Sequence, residues 1–380
     1  EYVFKHALLR EATYGSLLKR LRRVYHGLVA DWLLEQAGGR AEQYAALIAD
    51  HLDLAGRGGE AVHYLLQAGD RARRLYAHRE AIRAYERALA LLKEQGDVEG
   101  AARTQMKLGL AHDTAFDFRR ARQAYEGGFV LWQRASETEP ATLPLAPHGL
   151  RGTWLKPVTL DPGLCWDWAS FGVISQLFSG LVETTPDLGI VPDVATRWEV
   201  LDGGARYVFH LRDDARWSDG APVTAHDFEY AWKRILDPAT GSEAAYRFIE
   251  ILGARAYHEG LRPDAGAVGI HAQDDRTLLL ELEAPCSNVL HRISDFPVPR
   301  HVVERWGAAW TEPGLIVSNG PFTLSSWRDD GGLVLERNPL YHGRFGGNLE
   351  RVEMSLATTE KWTVALEKYE TDRADLFALE

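Results

Sequence analysis

The period of the apolar positions changes once along this chain, near residue 140. Before it, Leu17, Leu18, Leu21, Tyr25, Leu28, Val29 and Trp32 recur at three- and four-residue spacing, which predicts one face of an amphipathic helix. Lys19, Arg20, Arg22 and Arg23 fall on the opposite face, where a basic cluster is first of all a solvated surface. Gly38-Gly39 predicts the end of that helix. A helix pair is expected over Glu42–Ala55 and Glu60–Arg74. A spaced pattern of small and large residues then appears, Leu65, Gly69, Ala72 followed by Ala81, Tyr85, Ala88. It returns with Gly109, Ala121, Tyr125 and Gly128; Gly69 to Gly109 and Ala81 to Ala121 are both 40 residues apart. Such helix pairs cannot bury their apolar faces singly and must stack on one another.

After residue 148 the period becomes two. Alternation in Leu150–Leu155, Tyr207–Leu211, Leu278–Leu282 and Leu333–Glu336 predicts strands. Asp202-Gly203-Gly204, between Trp198–Leu201 and Tyr207–Leu211, predicts a hairpin. Thr224, with Asp227 three residues on, predicts a capped helix that Asp237-Pro238 ends. Strands and helices mixed in this way predict a layered α/β lobe. Between the two patterns, Glu137–His148 carries Pro140, Pro144 and Pro147 and predicts an extended linker. The expected domains are therefore 1–136, helical; 137–148, linker; and 149–380, α/β.

Charge sharpens that division. Residues 1–140 carry a net +2 and residues 141–380 a net −13, with ten of the twelve Trp in the second part. So acidic a region repels phosphate, and nucleic acid is not an expected partner. There is no apolar run of about 18 residues, so no membrane span is expected. Cys165 and Cys286 are too few for a disulfide framework and read as free thiols. The N-terminus lacks the apolar core of a secretory signal, which points to a cytoplasmic location, with a periplasmic one as the alternative should the full-length protein carry a signal peptide. The first residue is not Met, and the chain reads as a fragment of a longer protein.

Two resemblances extend this reading. The helical positions resemble the tetratricopeptide repeat, at a period longer than its usual 34 or so residues. Phe4–Leu33 is similar to the segment that follows the nucleotide-binding module in large signalling ATPases. That likeness implies an upstream ATPase or signalling domain as a partner in the same polypeptide; the chain itself has no phosphate-binding glycine loop. The second resemblance rests on ordered motifs. They are Thr159-Leu160-Asp161-Pro162, Ile174–Glu183, Pro192–Glu199, Trp217-Ser218-Asp219-Gly220 within Tyr207–Pro238, Ser318-Asn319-Gly320-Pro321-Phe322, and Leu335–Tyr341. Together they look like the solute-binding proteins of family 5, the oligopeptide, dipeptide and nickel binders of ABC importers. The fold so implied is a tetratricopeptide-like helical domain plus a periplasmic-binding-protein type II-like lobe. By the same resemblance, Tyr369–Asp375 precedes a second lobe that the chain stops short of, and the lobe alone is expected to bind peptide weakly or not at all.

In that family two lobes close over the ligand, and main-chain hydrogen bonds hold an extended peptide. The segment after the Leu-Asp-Pro motif, with Cys165, Trp166, Asp167, Trp168 and Ala169, would line the cleft. Trp166 and Trp168 either form an apolar wall of that cleft or cover the sheet. Asp167 either meets a ligand amine or is a solvated carboxylate. Asn319 and Gly320 read equally as scaffold and as ligand-facing. No metal-ligand or nucleophile motif is complete: His301 and Glu304 lack the second His of a zinc-binding helix, and Cys165 has no identifiable base. No enzyme, cofactor or metal is expected. The expected role is non-catalytic binding of a peptide or other small solute by a sensor tethered to helical repeats, which could also dock protein partners; the alternative is the substrate-binding component of an ABC peptide importer.

Overall fold

The computed structural model describes residues 13–136, 148–292, 295–328, 332–343, 349–357 and 375–377. By internal contacts the chain divides into two units, Glu1–Thr138 with Pro186–Gly189, and the remainder. The expected linker lies, but for His148, outside the described residues, as do Tyr369–Ala374 and the first nine residues of the Phe4–Leu33 likeness.

The helical pattern becomes α1 (Lys19–Ala37), α2 (Ala45–Ala55), α3 (Gly58–Arg74), α4 (His78–Gln95), α5 (Val98–Thr114) and α6 (Phe118–Ser136). The 40-residue spacing is a repeat of geometry as well as of sequence. Gly56 and Gly96 cap α2 and α4 in the left-handed region, at φ 81° and 73°. Tyr76 and Phe116 make the same left-handed turn after α3 and α5, at φ 56° and 59°. A Cβ on Gly69 would lie 2.4 Å from the Tyr85 ring, and one on Gly109 2.5 Å from the Tyr125 ring. Each glycine is thus the hollow into which a tyrosine of the next helix packs. The Tyr85 hydroxyl donates to Asp70 Oδ1 (2.7 Å), and Lys107 Nζ donates to Asp70 Oδ2 (2.9 Å), so this interior carboxylate is partnered. Asp113 differs. It is 0% exposed, and neither carboxylate oxygen has a hydrogen-bond partner among the described residues. Burial pushes its carboxyl up to about 8.

The helix expected from the Leu17–Trp32 stripe forms from Lys19 onward, but that stripe is not what it buries. Ala30 and Ala37 are buried; Ala30, with Leu33 and Leu34, packs against Ile48, Leu52 and Ala61. The stripe stays out, with Leu18 71% and Trp32 57% exposed. The physical reason is that α1 carries two apolar rows, and the smaller residues let α2 approach more closely.

Among its described residues the second unit has three sheets. Five strands lie in the order β11-β1-β10-β9-β8, where β1 is His148–Leu155, β8 Phe322–Arg328, β9 Gly332–Arg337, β10 Leu349–Ala357 and β11 Leu376–Phe377. β1 pairs in parallel with β10 and β11; β8, β9 and β10 pair antiparallel. Two short strands, β2 (Val182–Thr184) and β3 (Ile190–Pro192), form a hairpin. Four antiparallel strands lie in the order β4-β5-β7-β6: β4 Ala195–Leu201, β5 Arg206–Leu211, β6 Ile270–Asp274 and β7 Thr277–Glu281. The expected β4–β5 hairpin forms with Trp198 opposite Phe209, and its turn places Asp202, Gly203 and Gly204 at positive φ. Tyr207, Phe209 and Leu211 alternate inward as the period of two requires. Helix α7 (Trp168–Leu177) follows β1, and α8 (Ala225–Leu236) packs on β6 and β7. The Thr224–Asp227 capping box is present in full. Asp227 Oδ2 also accepts from Trp217 Nε1 (3.4 Å), so the Trp217–Gly220 turn is anchored by a fully buried indole.

Candidate ligand-binding site

The site is assembled around the carboxylate of the Leu-Asp-Pro motif. Asp161 is buried, and its oxygens take Arg234 in a two-pronged pair (3.0 and 2.6 Å), the Trp310 indole N–H (3.0 Å) and the Gly163 backbone N–H (2.9 Å). Every strong acceptor direction is used, which makes the turn Pro162–Leu164 a fixed point rather than a mobile loop. Ser242 Oγ donates to Gly163 O, and Arg247 Nη2 donates to Cys165 O (3.4 Å) while its Nη1 pairs with Asp295. Asp295 is buried, with Oδ2 unpartnered among the described residues, and burial pushes its carboxyl up to about 6 against the opposing pull of Arg247.

An aromatic ledge grows out of that fixed point. Asp167 caps α7 by accepting from Ser170 N (2.8 Å), which sets the first turn of the helix. Ser170 Oγ in turn accepts from the backbone of Val158 (2.9 Å) and Thr159 (3.1 Å), and the Trp154 indole donates to Ala169 O (2.9 Å). With its backbone fastened at so many points, the segment still leaves Trp166 66% and Trp168 74% exposed. Trp168 stacks on Phe171 with ring centroids 6.0 Å apart. Phe171 meets Phe296 at 6.2 Å, and Phe296 meets Phe178 at 6.3 Å. A row of rings therefore runs from the surface to the buried indoles of Trp217 and Trp310, which both contact Phe178 edge-on. Phe171, Phe178 and Phe296 also line a cavity of about 390 Å3, with Ser175, Gln176, Glu183, Asp193 and Tyr341 among its polar groups. Burial, with the Asp193 charge second, pushes the Tyr341 hydroxyl up to about 12, so it enters the cavity as a neutral donor.

Five of the sequence-derived residues, Cys165 to Ala169, come together here. Cys165 is buried, its thiol 3.6 Å from Asp167 O and pushed up to about 11 by burial, so it is a protonated thiol without nucleophilic activation. Asp167 directs one oxygen to the helix cap. Asn319 and Gly320 sit apart from the ledge, behind the cavity. Asn319 is 0% exposed and brackets Ser179, accepting from its N–H and donating to its carbonyl, both at 3.0 Å. Gly320 lies so close to α7 that a Cβ would be 2.5 Å from the Leu177 carbonyl carbon. Both shape the Leu177–Gly180 wall through the backbone. Sequence reasoning passed over Phe171, Arg247, Asp295, Phe296 and Tyr341. Phe296 and Asp295 lie in an irregular stretch with no periodic signal, and nothing local pairs Asp295 with Arg247 almost fifty positions earlier. Among the described residues no group of His, Cys, Asp and Glu is arranged to hold a metal, and no helix is long and apolar enough to cross a membrane.

With this geometry in place, four likenesses bear on the chain. Residues 189–379 match the family described as bacterial extracellular solute-binding proteins, family 5 Middle. The periplasmic oligopeptide-binding protein OppA of Escherichia coli is 40% identical over 188 residues, 48% of this chain and 34% of that protein. The probable deoxycholate-binding periplasmic protein YgiS of Escherichia coli is 38% identical over 221 residues, 56% of this chain and 41% of that protein. The substrate-binding domain of an oligopeptide ABC transporter from Bacillus anthracis superimposes with a TM-score of 0.58 at 29% identity, covering 62% of this chain and 46% of that one. The chain thus spans less than half the length of these relatives, and the likeness supports a periplasmic-binding-protein type II-like α/β fold for its second part. The expected cytoplasmic location is overturned: relatives named as periplasmic point to the extracytoplasmic side.

Proposed function

The chain belongs to family 5 of the bacterial extracellular solute-binding proteins, and on that premise we propose that residues 149–380 are a peptide-capturing lobe acting outside the cytoplasm. The family is one of binding proteins rather than enzymes. In this reading Trp166 and Trp168 are the apolar wall against which an extended peptide lies, Cys165, Asp167 and Ala169 hold that wall in place, and Asn319-Gly320 shape the cavity floor from behind. The observation that carries it is the exposure of two large indoles on a segment whose backbone is fastened by Asp161, Ser170 and Arg247. Rigid, exposed aromatic area is what a tolerant peptide site needs, because it binds many side chains without a large ordering cost. Relatives named for oligopeptide transport favour capture for an ABC importer over a sensor coupled to a signalling module, so membrane components of such a transporter are the proposed partners. Residues 1–136, joined through 137–148, would serve as a tetratricopeptide-like scaffold for the lobe.

The test is a titration followed by the indole N–H resonances. A tetrapeptide at millimolar concentration is expected to shift the Trp166 and Trp168 signals, weakly because a clamp of this class draws on two lobes. No shift of either indole with peptide, alongside clear shifts with deoxycholate, would replace the peptide reading with a steroid one.

A further inference from the structure

The cavity behind the aromatic ledge has one sign of charge. Among the described residues its charged lining side chains are Glu183 and Asp193, set against the rings of Phe171, Phe178 and Phe296. The β2–β3 hairpin fixes how the two carboxylates stand. Glu183 pairs with Val191, and the ladder continues as Asp193 N donates to Leu181 O (3.3 Å). Glu183 and Asp193 are therefore diagonal neighbours on one face of the hairpin, a relation of about 7–8 Å. Both charges reach the Tyr341 hydroxyl, which ties them to the same end of the cavity.

Two nearby groups could cancel that charge, and neither does. Arg212, whose charge also reaches Tyr341, is committed to Asp214 by two hydrogen bonds (2.5 and 3.0 Å). His342 meets Asp193 Oδ1 through Nε2 (2.7 Å), and its ring is 0% exposed. Its Nδ1 is buried and has no partner among the described residues. Such a place suits a lone pair and not an N–H, so the ring donates to Asp193 as a neutral imidazole and the carboxylate keeps its charge. Phenyl faces add to the attraction for a cation, and the net −13 of residues 141–380 draws cations toward the lobe.

We infer that this cavity selects a basic side chain, the ammonium of lysine or the guanidinium of arginine, on the peptide that lies along the ledge. The inference rests on the peptide reading above. Phe171 belongs to both ledge and cavity, so a peptide against Trp168 sends one side chain past that ring toward Glu183 and Asp193. A glutamate there would meet two like charges, and a neutral chain of lysine's length would forgo the attraction.

The test uses the whole chain and blocked alanine tetrapeptides, acetylated and amidated so that no terminal charge takes part. One residue at each position in turn is lysine, its uncharged match norleucine, or glutamate. Titrations followed by the Trp166 and Trp168 indole signals give the affinities. In at least one position lysine is expected to bind about fivefold or more tighter than norleucine, with glutamate weakest. Glu183, exposed on a two-stranded hairpin, can be changed without opening the core, and far-UV circular dichroism checks the fold. Glu183→Gln should lower the lysine-to-norleucine ratio about threefold, and Glu183→Lys should turn the preference toward glutamate. Equal affinity for lysine and norleucine at every position, with the indoles moving in both series, overturns the inference and leaves the peptide reading standing. A lysine preference that Glu183→Lys leaves intact also overturns it. Indole signals that stay still in every series sink both.

Discussion

Two buried aspartates separate the two units of this protein. Asp161, in the α/β unit, is joined to a guanidinium, an indole N–H and a backbone N–H, and through them fixes the turn that carries the tryptophan ledge. Asp113, in the helical unit, is as deeply placed, and its side chain holds nothing among the described residues. The difference teaches how the two units are made. The helical unit is held by repeated small-to-large packing, Gly69 under Tyr85 and Gly109 under Tyr125, and tolerates an idle carboxyl by keeping it protonated. The α/β unit has no such redundancy around its site, where single polar groups join segments far apart in sequence.

The contrast breaks most readily at Asp161. Asp161→Ala leaves Arg234 largely buried without its partner, and denaturant unfolding of the α/β unit should show a loss of about 3–5 kcal/mol. Asp113 gives the opposite sign. Its carboxyl titrates at about 8 in the fold and near 3.8 when unfolded, so the folded state keeps a proton that the unfolded state has lost. Stability from this group is therefore full below pH 4 and falls as pH rises toward 8. Asp113→Asn should remove that fall. At pH 5 it should sit within ~1 kcal/mol of the wild type, and at pH 9 it should be more stable by roughly 3–5 kcal/mol, as measured by urea denaturation at the two pH values. If both variants destabilise alike at both pH values, the two carboxylates do not differ in the way described.

Packing and surface charge sharpen the comparison with smaller effects. Gly109→Ala drives a methyl into the Tyr125 ring and should cost about 1–3 kcal/mol in thermal unfolding of the helical unit. Gly69→Ala should match it within experimental error if the repeat is energetic as well as geometric. Arg87, half-exposed and bridging Asp50 and Asp53, should lose no more than ~1 kcal/mol on replacement by Ala, and less at high salt.

Legibility in the sequence followed the same divide. Where local chemistry decides, the sequence was enough: the Asp202-Gly203-Gly204 hairpin, the Thr224–Asp227 cap and the 40-residue recurrence all stand in the structure. Where two segments must find each other, it was not. Nothing near residue 150 announces a parallel partner near residue 350. Periodicity marks the α1 stripe as one face of an amphipathic helix and cannot say which of two apolar rows meets a neighbour. Cys165 to Ala169 were found through the motif before them, yet the rings that extend the ledge inward, Phe171 and Phe296, follow no period. Asn319 was noticed for its Gly-Pro context, and its amide proves to be committed to Ser179.

The pairing of β1 with β10 has a consequence for how the molecule comes into being. His148 lies beside Leu349, about 200 positions later, so the central sheet of the α/β unit cannot close while most of its own sequence is still inside a ribosome or a translocation pore. The helices before it need only near neighbours and can mature early. For the interval between, a strand bearing Trp154 waits with open edges. A chaperone that shields strand edges has its natural moment there, and overproduction is most dangerous in that same interval.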